Sequence, residues 1–270
     1  MMAARFGQKY DWEPAVRHSL DDRRYSAQFG PPGGDGPVPD LFVPLCLDDY
    51  SVLNAMPPTI RPPFLAPSPT TVALCDDKLA FNRFLIAEGF GAHVPPIIAV
   101  PPRHFPVLLK ARRGEWGVGV TAINDHAAYE AAADQLTTGD AFLQADVPGR
   151  TEYALHALVR DGRLLWHGLM QYEMPRAPAG TAYVKGRDCL PRSSRFTQTC
   201  PHLKVFAAIL ARLDYTGTAC IDFKLTATGP MIFELNPRPG SSLMAFVTDW
   251  LDAQMEALGL LHVQTRAKPK

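Results

Sequence analysis

The sequence predicts an α+β fold for this chain of 270 residues, and two observations lead to that prediction. Stretches in which apolar and polar residues alternate, as in strands, outnumber stretches with the apolar period of helices. The two kinds are mixed without the strict strand–helix alternation of a parallel sheet. The 26 prolines are concentrated before residue 110, so regular structure is expected mainly after the first part of the chain.

Composition and charge exclude several classes of function. The net charge is zero and 20% of the residues are charged, so neither a nucleic-acid nor a membrane-surface partner is predicted. The five cysteines are scattered and include no Cys-x-x-Cys pair, which indicates neither a disulfide framework nor a zinc site and fits a reducing compartment. No signal peptide and no membrane span are expected. A cytoplasmic location is predicted.

Residues 1–67 are predicted to form an abbreviated, irregular N-terminal segment. The run 30–37 is rich in glycine and proline and is typical of a loop. Residues 41–47 predict one buried strand, which Pro44 places at an edge or a strand end. With one short helix in addition, the segment offers too little material for an independent domain.

The elements after this segment follow from apolar spacing and from start and stop signals. Acids precede a helical pattern that ends near Gly89, and Asn124 is expected to cap an alanine-rich helix. Asp161 and Gly162 predict the turn of a hairpin. In chain order we expect helix 77–89, strand 107–110, a glycine loop 114–119, helix 124–136, strand 141–147, hairpin 152–171, helix 201–213, hairpin 218–236 and helix 242–258.

The hairpin over residues 218–236 is the most informative stretch, because its register determines which side chains face one another. A three-residue loop 227–229 with Gly229 in the left-handed region predicts the register of the whole hairpin. One face is then apolar, with the pairs Ile221–Leu235, Phe223–Phe233 and Leu225–Met231.

The other face of this hairpin brings two carboxylates together. Asp222 is predicted directly across from Glu234, with Asn236 beside them. Adjacent carboxylates repel unless a cation lies between them, and carboxylate and amide oxygens are ligands that Mg²⁺ prefers. The pair therefore predicts a metal site. The alternative is an ordinary hairpin with a solvated acidic face, on which Lys224 neutralises one acid.

The order of these pieces resembles the ATP-grasp superfamily over about residues 68–258. The resemblance implies two α+β lobes that grip a nucleotide within residues 68–262, a smaller lobe over 104–147 and a larger, metal-binding lobe over 148–262. The residues that carry it are Asp77-Lys78, Leu109-Lys110, the glycine loop 114–119, the stretch 144–149, Glu152, Asp222 and Glu234-Leu235-Asn236-Pro237-Arg238.

The resemblance implies ATP and Mg²⁺, or Mn²⁺, as cofactors, and it assigns phosphate contacts. Lys110 would hold the α- and β-phosphates, with Lys78 nearby. Gly114, Gly117 and Gly119 would let backbone N–H groups approach the phosphates.

By the same resemblance, Gln144, Ala145 and Val147 lie where backbone groups read adenine, and Glu152 matches the carboxylate that takes the ribose hydroxyls. This chain has glutamine at residue 144, where the family usually has glutamate.

Metal and catalytic roles follow from the resemblance in the same way. Asp222, Glu234 and Asn236 would hold the metal. Arg238 and Lys110 would be catalytic, stabilising charge on the transferred phosphate.

The function that the resemblance implies is an ATP-dependent, ADP-forming ligase. It would activate a carboxylate as an acyl phosphate for attack by an amine, with small-molecule or peptide substrates of the amino acid type. Because residues 1–67 are so short, a second subunit or a second copy of the chain is expected to complete the substrate site. Two other functions stay open: a non-catalytic nucleotide-binding or scaffold subunit, and a small-molecule kinase.

Overall fold

Residues 1–9, 12–33, 37–114, 119–175 and 192–260 are described by the computed structural model, and their strands form three separate sheets. None of the helices within these ranges is long and apolar enough to cross a membrane.

The first sheet is parallel and lies entirely within residues 1–67. Its strands have the order β2-β1-β3, and two helices accompany them. The bounds are β1 Met2–Phe6, α1 Trp12–Ser19, β2 Tyr25–Phe29, β3 Leu41–Val43 and α2 Leu47–Ala55. The sequence predicted one strand and one short helix here, and that prediction was wrong. The strands are three to five residues long and pair across many intervening residues, so no local pattern reveals them.

The second sheet is antiparallel, with the order β4-β7-β5-β6. Two helices precede it, and α4 leads into a π turn over Ile86–Phe90 and a 3₁₀ turn over Gly91–His93. The bounds are α3 Pro69–Asp76, α4 Lys78–Leu85, β4 Ile97–Ile98, β5 Val107–Ala111, β6 Val120–Ile123, α5 His126–Thr137 and β7 Ala141–Ala145. Asp125 and not Asn124 caps α5, because its carboxylate accepts from the N–H of Ala128 at 2.8 Å.

The third sheet has the antiparallel order β10-β9-β8-β11-β12. The predicted last helix is a 3₁₀ segment over Ser241–Phe246 followed by α7, and the helix predicted from Pro201 begins two residues later. The bounds are β8 Thr151–Arg160, β9 Arg163–Glu173, β10 Ser193–Thr197, α6 Leu203–Arg212, β11 Gly217–Thr226, β12 Gly229–Asn236 and α7 Val247–Ala257.

The two faces of the five-stranded sheet pack against different parts of the chain. On one face Leu155, Ile221 and Phe223 join a core with α3, α4 and α6. On the other face Ala154 and Cys220 join a core formed by α7, α1 and the N-terminal sheet. The N-terminal sheet is therefore packed onto the rest of the chain and shares a core with it.

The β11–β12 hairpin confirms the predicted acid pair and corrects the predicted turn. Asp222 lies opposite Glu234, but the tip pairs Thr226 with Gly229, so the loop has two residues and not three. A bulge restores the register, because Phe223 pairs with Ile232 and leaves Phe233 as the extra residue. The predicted pairs Phe223–Phe233 and Leu225–Met231 were therefore wrong.

Candidate active site

The acid pair and a neighbouring amide form one cluster on the β11–β12 hairpin. Asn236 Nδ2 donates to Asp222 Oδ2 at 3.3 Å and to Glu234 Oε1 at 3.1 Å. Burial alone would raise the pKa of Glu234, but Lys78, Lys110 and hydrogen bonds from Asn236 and Asp222 lower it. Two carboxyl groups in hydrogen-bond contact repel each other when both are ionised, and a proton or a cation between them removes this repulsion.

Lys78 joins this cluster from the first turn of α4. Its Nζ lies 3.2 Å from Glu234 Oε2 and donates to the carbonyl of Gly114 at 2.6 Å. Asp77 starts the helix by accepting from the N–H groups of Leu79 and Ala80, and this cap fixes the position of Lys78.

Lys110 enters the same region from β5, where its side chain is buried. Its Nζ donates to Gln144 Oε1 at 2.9 Å and lies 5.2 Å from the centroid of the Phe233 ring. Burial lowers the pKa of Lys110 to about 8, against the opposing attraction of Glu234. The Phe233 ring faces the charged side because the bulge turns it there.

Lys224 and Glu152 form a second charged pair further along the sheet. Lys224 Nζ lies 3.7 Å from Glu152 Oε1 and donates to the carbonyl of Val147 at 2.9 Å. Among the described residues, the carboxylate that pairs with Lys224 is therefore Glu152.

Arg238 lies in the loop after β12, and the N-terminal part of the chain supports that loop. Its Nη2 donates to Asn236 Oδ1 at 3.4 Å, and Tyr50 on α2 donates to the carbonyl of Pro237 at 3.0 Å. Leu47, at the start of α2, lines a narrow cleft together with residues of the acid cluster. The N-terminal segment thus reaches the site, which the sequence did not predict.

An ion pair fixes the beginning of the glycine loop beside Lys78. The Arg112 guanidinium bonds both carboxylate oxygens of Asp77, and the Lys78 N–H donates to the Arg112 carbonyl at 2.8 Å. Gly119, at the other end of the loop, has a φ of 77°, and an added Cβ would lie 2.6 Å from the Ala111 Cβ. Gly117 lies outside the described residues.

A histidine–serine pair lies where the sheet meets the segment after the Arg238 loop. His156 Nε2 and Ser242 Oγ are 2.8 Å apart. Gly240 packs against the His156 ring and the Cys220 thiol so closely that a Cβ would lie 2.8 Å from His156 Cε1 and 2.7 Å from Cys220 Sγ. No pattern in the sequence connects these residues.

Comparison with known proteins identifies the fold. No protein-family model matches the chain. A D-alanine–D-alanine ligase of Nocardia farcinica is 26% identical over 211 residues, which are 70% of this chain and 58% of the ligase. The chain thus spans less than two thirds of that relative. The D-alanine–D-alanine ligase of Bacillus anthracis superposes with a TM-score of 0.61 at 15% identity, covering 96% of this chain and 97% of the enzyme.

A third protein carries the name of the fold. It is the RimK domain protein ATP-grasp of Sphaerobacter thermophilus, with a TM-score of 0.53 at 17% identity, covering 96% of this chain and 98% of that one. The chain has the ATP-grasp fold.

Most of the residues predicted from the ATP-grasp resemblance lie in this region. Direct contacts join Lys78, Gly114, Glu234, Asp222, Asn236 and Arg238 in one network. In the part of the chain that the structure describes, there is no group of three or more His, Cys, Asp or Glu residues suited to a metal. A metal here would have two carboxylates and would need other oxygens, such as those of phosphates, to complete its shell.

The stretch predicted to read adenine is partly engaged within the protein. The Ala145 N–H donates to the Pro96 carbonyl at 2.9 Å, and the Val147 carbonyl accepts from Lys224. The Gln144 side chain is turned toward Lys110.

Asn82 is a site residue that the sequence interpretation missed. It is completely buried on α4 and accepts from Gln144 Nε2 at 3.3 Å. One signal could have found it, since Asn82 lies four residues after Lys78 on the same helix, among apolar residues.

Proposed function

We propose that this ATP-grasp chain is an ATP-dependent, ADP-forming ligase that joins a carboxylic acid to an amine. The observation that carries the proposal is the convergence of buried lysines on a pair of facing carboxylates. Lys78 touches Glu234, and Lys110 is close enough to Glu234 to lower its pKa. This arrangement suits a triphosphate together with a divalent metal. The lysines can compensate the negative charge of the triphosphate, and the facing carboxylates can bind the metal.

The acid cluster fits Mg²⁺ or Mn²⁺ on the chemistry of its donors. Asp222 and Glu234 would hold the metal, and Asn236 would add its amide oxygen by turning the amide, whose NH₂ now faces both acids. Bound there, the metal would neutralise charge on the β- and γ-phosphates.

The remaining predicted roles are part of the same proposal. Lys110 and Lys78 would bind phosphate oxygens from one side, with the backbone of Gly114 beside Lys78, and Glu152 would bind the ribose hydroxyls. The adenine would lie near Val147, with residues 104–147 as the smaller lobe and 148–262 as the larger one.

The proposed reaction has two steps. A carboxylate oxygen of the acid attacks the γ-phosphorus, the bond to the β-phosphate oxygen breaks, and ADP leaves. The amine nitrogen then attacks the acyl carbon, phosphate leaves with its electron pair, and the nitrogen loses a proton. Arg238 would stabilise charge on the transferred phosphate with its planar set of donors.

The relatives support this proposal by what their names say. The Nocardia and Bacillus proteins are D-alanine–D-alanine ligases, and the Bacillus enzyme has also been crystallised with ATP. The N-terminal part of the chain supports it too, because Leu47 at the start of α2 lies in the wall of the cleft. We propose that the acid substrate contacts this wall.

The test is turnover with defined mixtures of substrates. The chain is incubated with Mg²⁺, ATP and pooled amino acids or dipeptides, and ADP is measured with each pool alone and in pairs. Hydroxylamine in place of the amine traps an acyl phosphate as a hydroxamate. ADP formation that requires both an acid and an amine, with hydroxamate in the trapping assay, is the expected result. Asp222→Asn serves as the control for contaminating ATPases.

Other outcomes separate the alternative functions. A stable phosphorylated product from one acceptor would indicate a kinase. Tight ATP binding without turnover in any mixture would indicate a nucleotide-binding or scaffold subunit.

A further inference from the structure

Three buried lysines lie in the proposed nucleotide site, and they differ in the side chains that contact their ammonium groups. Lys78 lies 3.2 Å from Glu234, and Lys224 lies 3.7 Å from Glu152. Lys110 takes part in none of the ion pairs found among the described residues. Its near contacts are the neutral Gln144 amide and the Phe233 ring.

The Gln144 amide is held in one orientation by its own partners. Its Oε1 accepts from Lys110, and its Nε2 donates to Asn82 Oδ1 at 3.3 Å and to the Pro95 carbonyl at 3.1 Å. All the hydrogen-bonding groups of the amide except the second lone pair of Oε1 are thereby used. A reversed amide would place its NH₂ against the Lys110 ammonium and its oxygen against two acceptors.

Asn82 connects the Gln144 amide to the backbone of Lys78. Its Nδ2 donates to the main-chain carbonyl of Lys78 at 2.5 Å, within the first turns of α4. Asn82 and Gln144 are 0% and 1% exposed, so water does not compete for these bonds. One buried path of hydrogen bonds therefore joins Lys110 on β5 to the backbone of Lys78 on α4.

We propose that Gln144 and Asn82 are positioning residues that hold the Lys110 ammonium toward the triphosphate without engaging it in an ion pair. An amide oxygen fixes the direction of the side chain, as a carboxylate would, but it does not neutralise the ammonium. The charge of Lys110 is then available to a phosphate oxygen. This inference rests on the proposed function only in requiring that ATP binds at this site.

The experiment compares the binding of Mg·ATP with the binding of adenosine, which lacks phosphates. Titration calorimetry or ligand-observed NMR is applied to the full chain and to Gln144→Met, Asn82→Ala, Lys110→Met and the double variant Lys110→Met/Gln144→Met. Gln144→Met keeps the length of the side chain and removes its hydrogen bonds. We expect ATP to bind about tenfold more weakly to Gln144→Met, and about threefold more weakly to Asn82→Ala. Adenosine affinity should change by less than about twofold.

The double variant provides the decisive readout. If Gln144 acts through Lys110, the double variant should bind ATP no more weakly than Lys110→Met alone. Additive losses, or an equal loss of adenosine affinity, would overturn the inference, because Gln144 would then act by itself or contact the base.

Gln28→Met is the matched control. Gln28 Oε1 also accepts hydrogen bonds from a buried cation, the Arg5 guanidinium, at 2.9 and 3.1 Å, but in the N-terminal sheet. This variant should leave ATP affinity unchanged, and an equal loss would mean that removing any such amide weakens binding through the fold. Thermal unfolding checks each variant, and Asn82→Ala decides the question if Gln144→Met does not fold.

The outcomes for the two proposals are distinct. ATP binding without ligation would remove the ligase and leave the positioning role intact. If the wild-type chain failed to bind ATP, the nucleotide site and this inference would both fall.

Discussion

The two faces of the β11–β12 hairpin are built from alternate residues of the same strands and have opposite physical character. One face carries Ile221, Phe223 and Leu235, all at most 1% exposed in an apolar core. The other carries Asp222 and Glu234, two acids held together at a cost in electrostatic repulsion. The apolar face thus accounts for stability and the acidic face for the proposed binding, so substitutions on the two faces should separate these properties.

The largest effect is expected on the apolar face. Phe223→Ala should lower the free energy of unfolding by about 3–5 kcal/mol, because it removes buried surface and leaves a cavity. Urea unfolding measures the loss, with Ala227→Ser at the exposed hairpin tip as the control. The folded protein should bind ATP normally. Strongly weakened binding by the folded variant would show that the two faces are not independent.

On the acidic face the effect should appear in turnover. Asp222→Asn is expected to reduce ADP formation about 100-fold, which corresponds to roughly 2.7 kcal/mol of lost transition-state stabilisation. Stability should change by less than about 1 kcal/mol, since the substitution also removes a like charge beside Glu234. Turnover at the wild-type rate would contradict the proposed metal site.

A smaller effect should follow pH. Because the pKa of Lys110 is lowered to about 8, its ammonium loses its proton as the pH rises through 8, and ATP affinity should fall above that pH. Lys110→Met should bind ATP weakly, and its ATP affinity should not fall as the pH rises through 8. In the nucleotide-free protein, the free energy of unfolding changes with pH in the opposite direction. Between pH 8 and 10.5 the unfolded chain binds this proton more tightly than the folded chain, so the stability lost by burying the charged Lys110 is regained as the pH rises. Titrations from pH 7 to 10 test both slopes.

The smallest effect is expected at the bulge. Phe233→Leu removes the ring that lies 5.2 Å from Lys110 Nζ and 6.0 Å from Lys224 Nζ. ATP affinity should fall about threefold to fivefold, since a cation–π contact contributes about 1 kcal/mol. Phe233→Tyr keeps the ring and should bind as the wild type does. Equal losses in both variants would assign the effect to packing.

The acid pair was predictable because it depends on local alternation. Asp222 and Glu234 lie within one hairpin, so strand periodicity and a short loop were sufficient to place them face to face. The bulge was not predictable, because an extra residue on one strand becomes visible only against its partner. The two errors cancelled at the acids: the loop was one residue shorter than predicted, and Phe233 supplied the residue in excess.

Residues joined across long stretches of sequence were harder to foresee. The resemblance to ATP-grasp proteins placed Gln144 near the nucleotide, but its side chain bonds Asn82, 62 residues earlier. In the N-terminal sheet, Phe6 pairs with Val43 through the three-residue strand β3. Such contacts depend on how whole elements pack, and no short pattern in the sequence specifies them.

The ion pair between Asp77 and Arg112 has a mechanical consequence. Asp77 lies at the start of α4, whereas Arg112 follows β5 in the four-stranded sheet. The Lys78 N–H, which donates to the Arg112 carbonyl, adds a further hydrogen bond between these two segments. If the cleft widens to admit ATP or release ADP, either the contacts between Asp77-Lys78 and Arg112 must break or Lys78 must move with the four-stranded sheet. In the second case Lys78 would separate from Glu234. The release of the nucleotide would then occur together with the exposure of Asp222 and Glu234 to solvent.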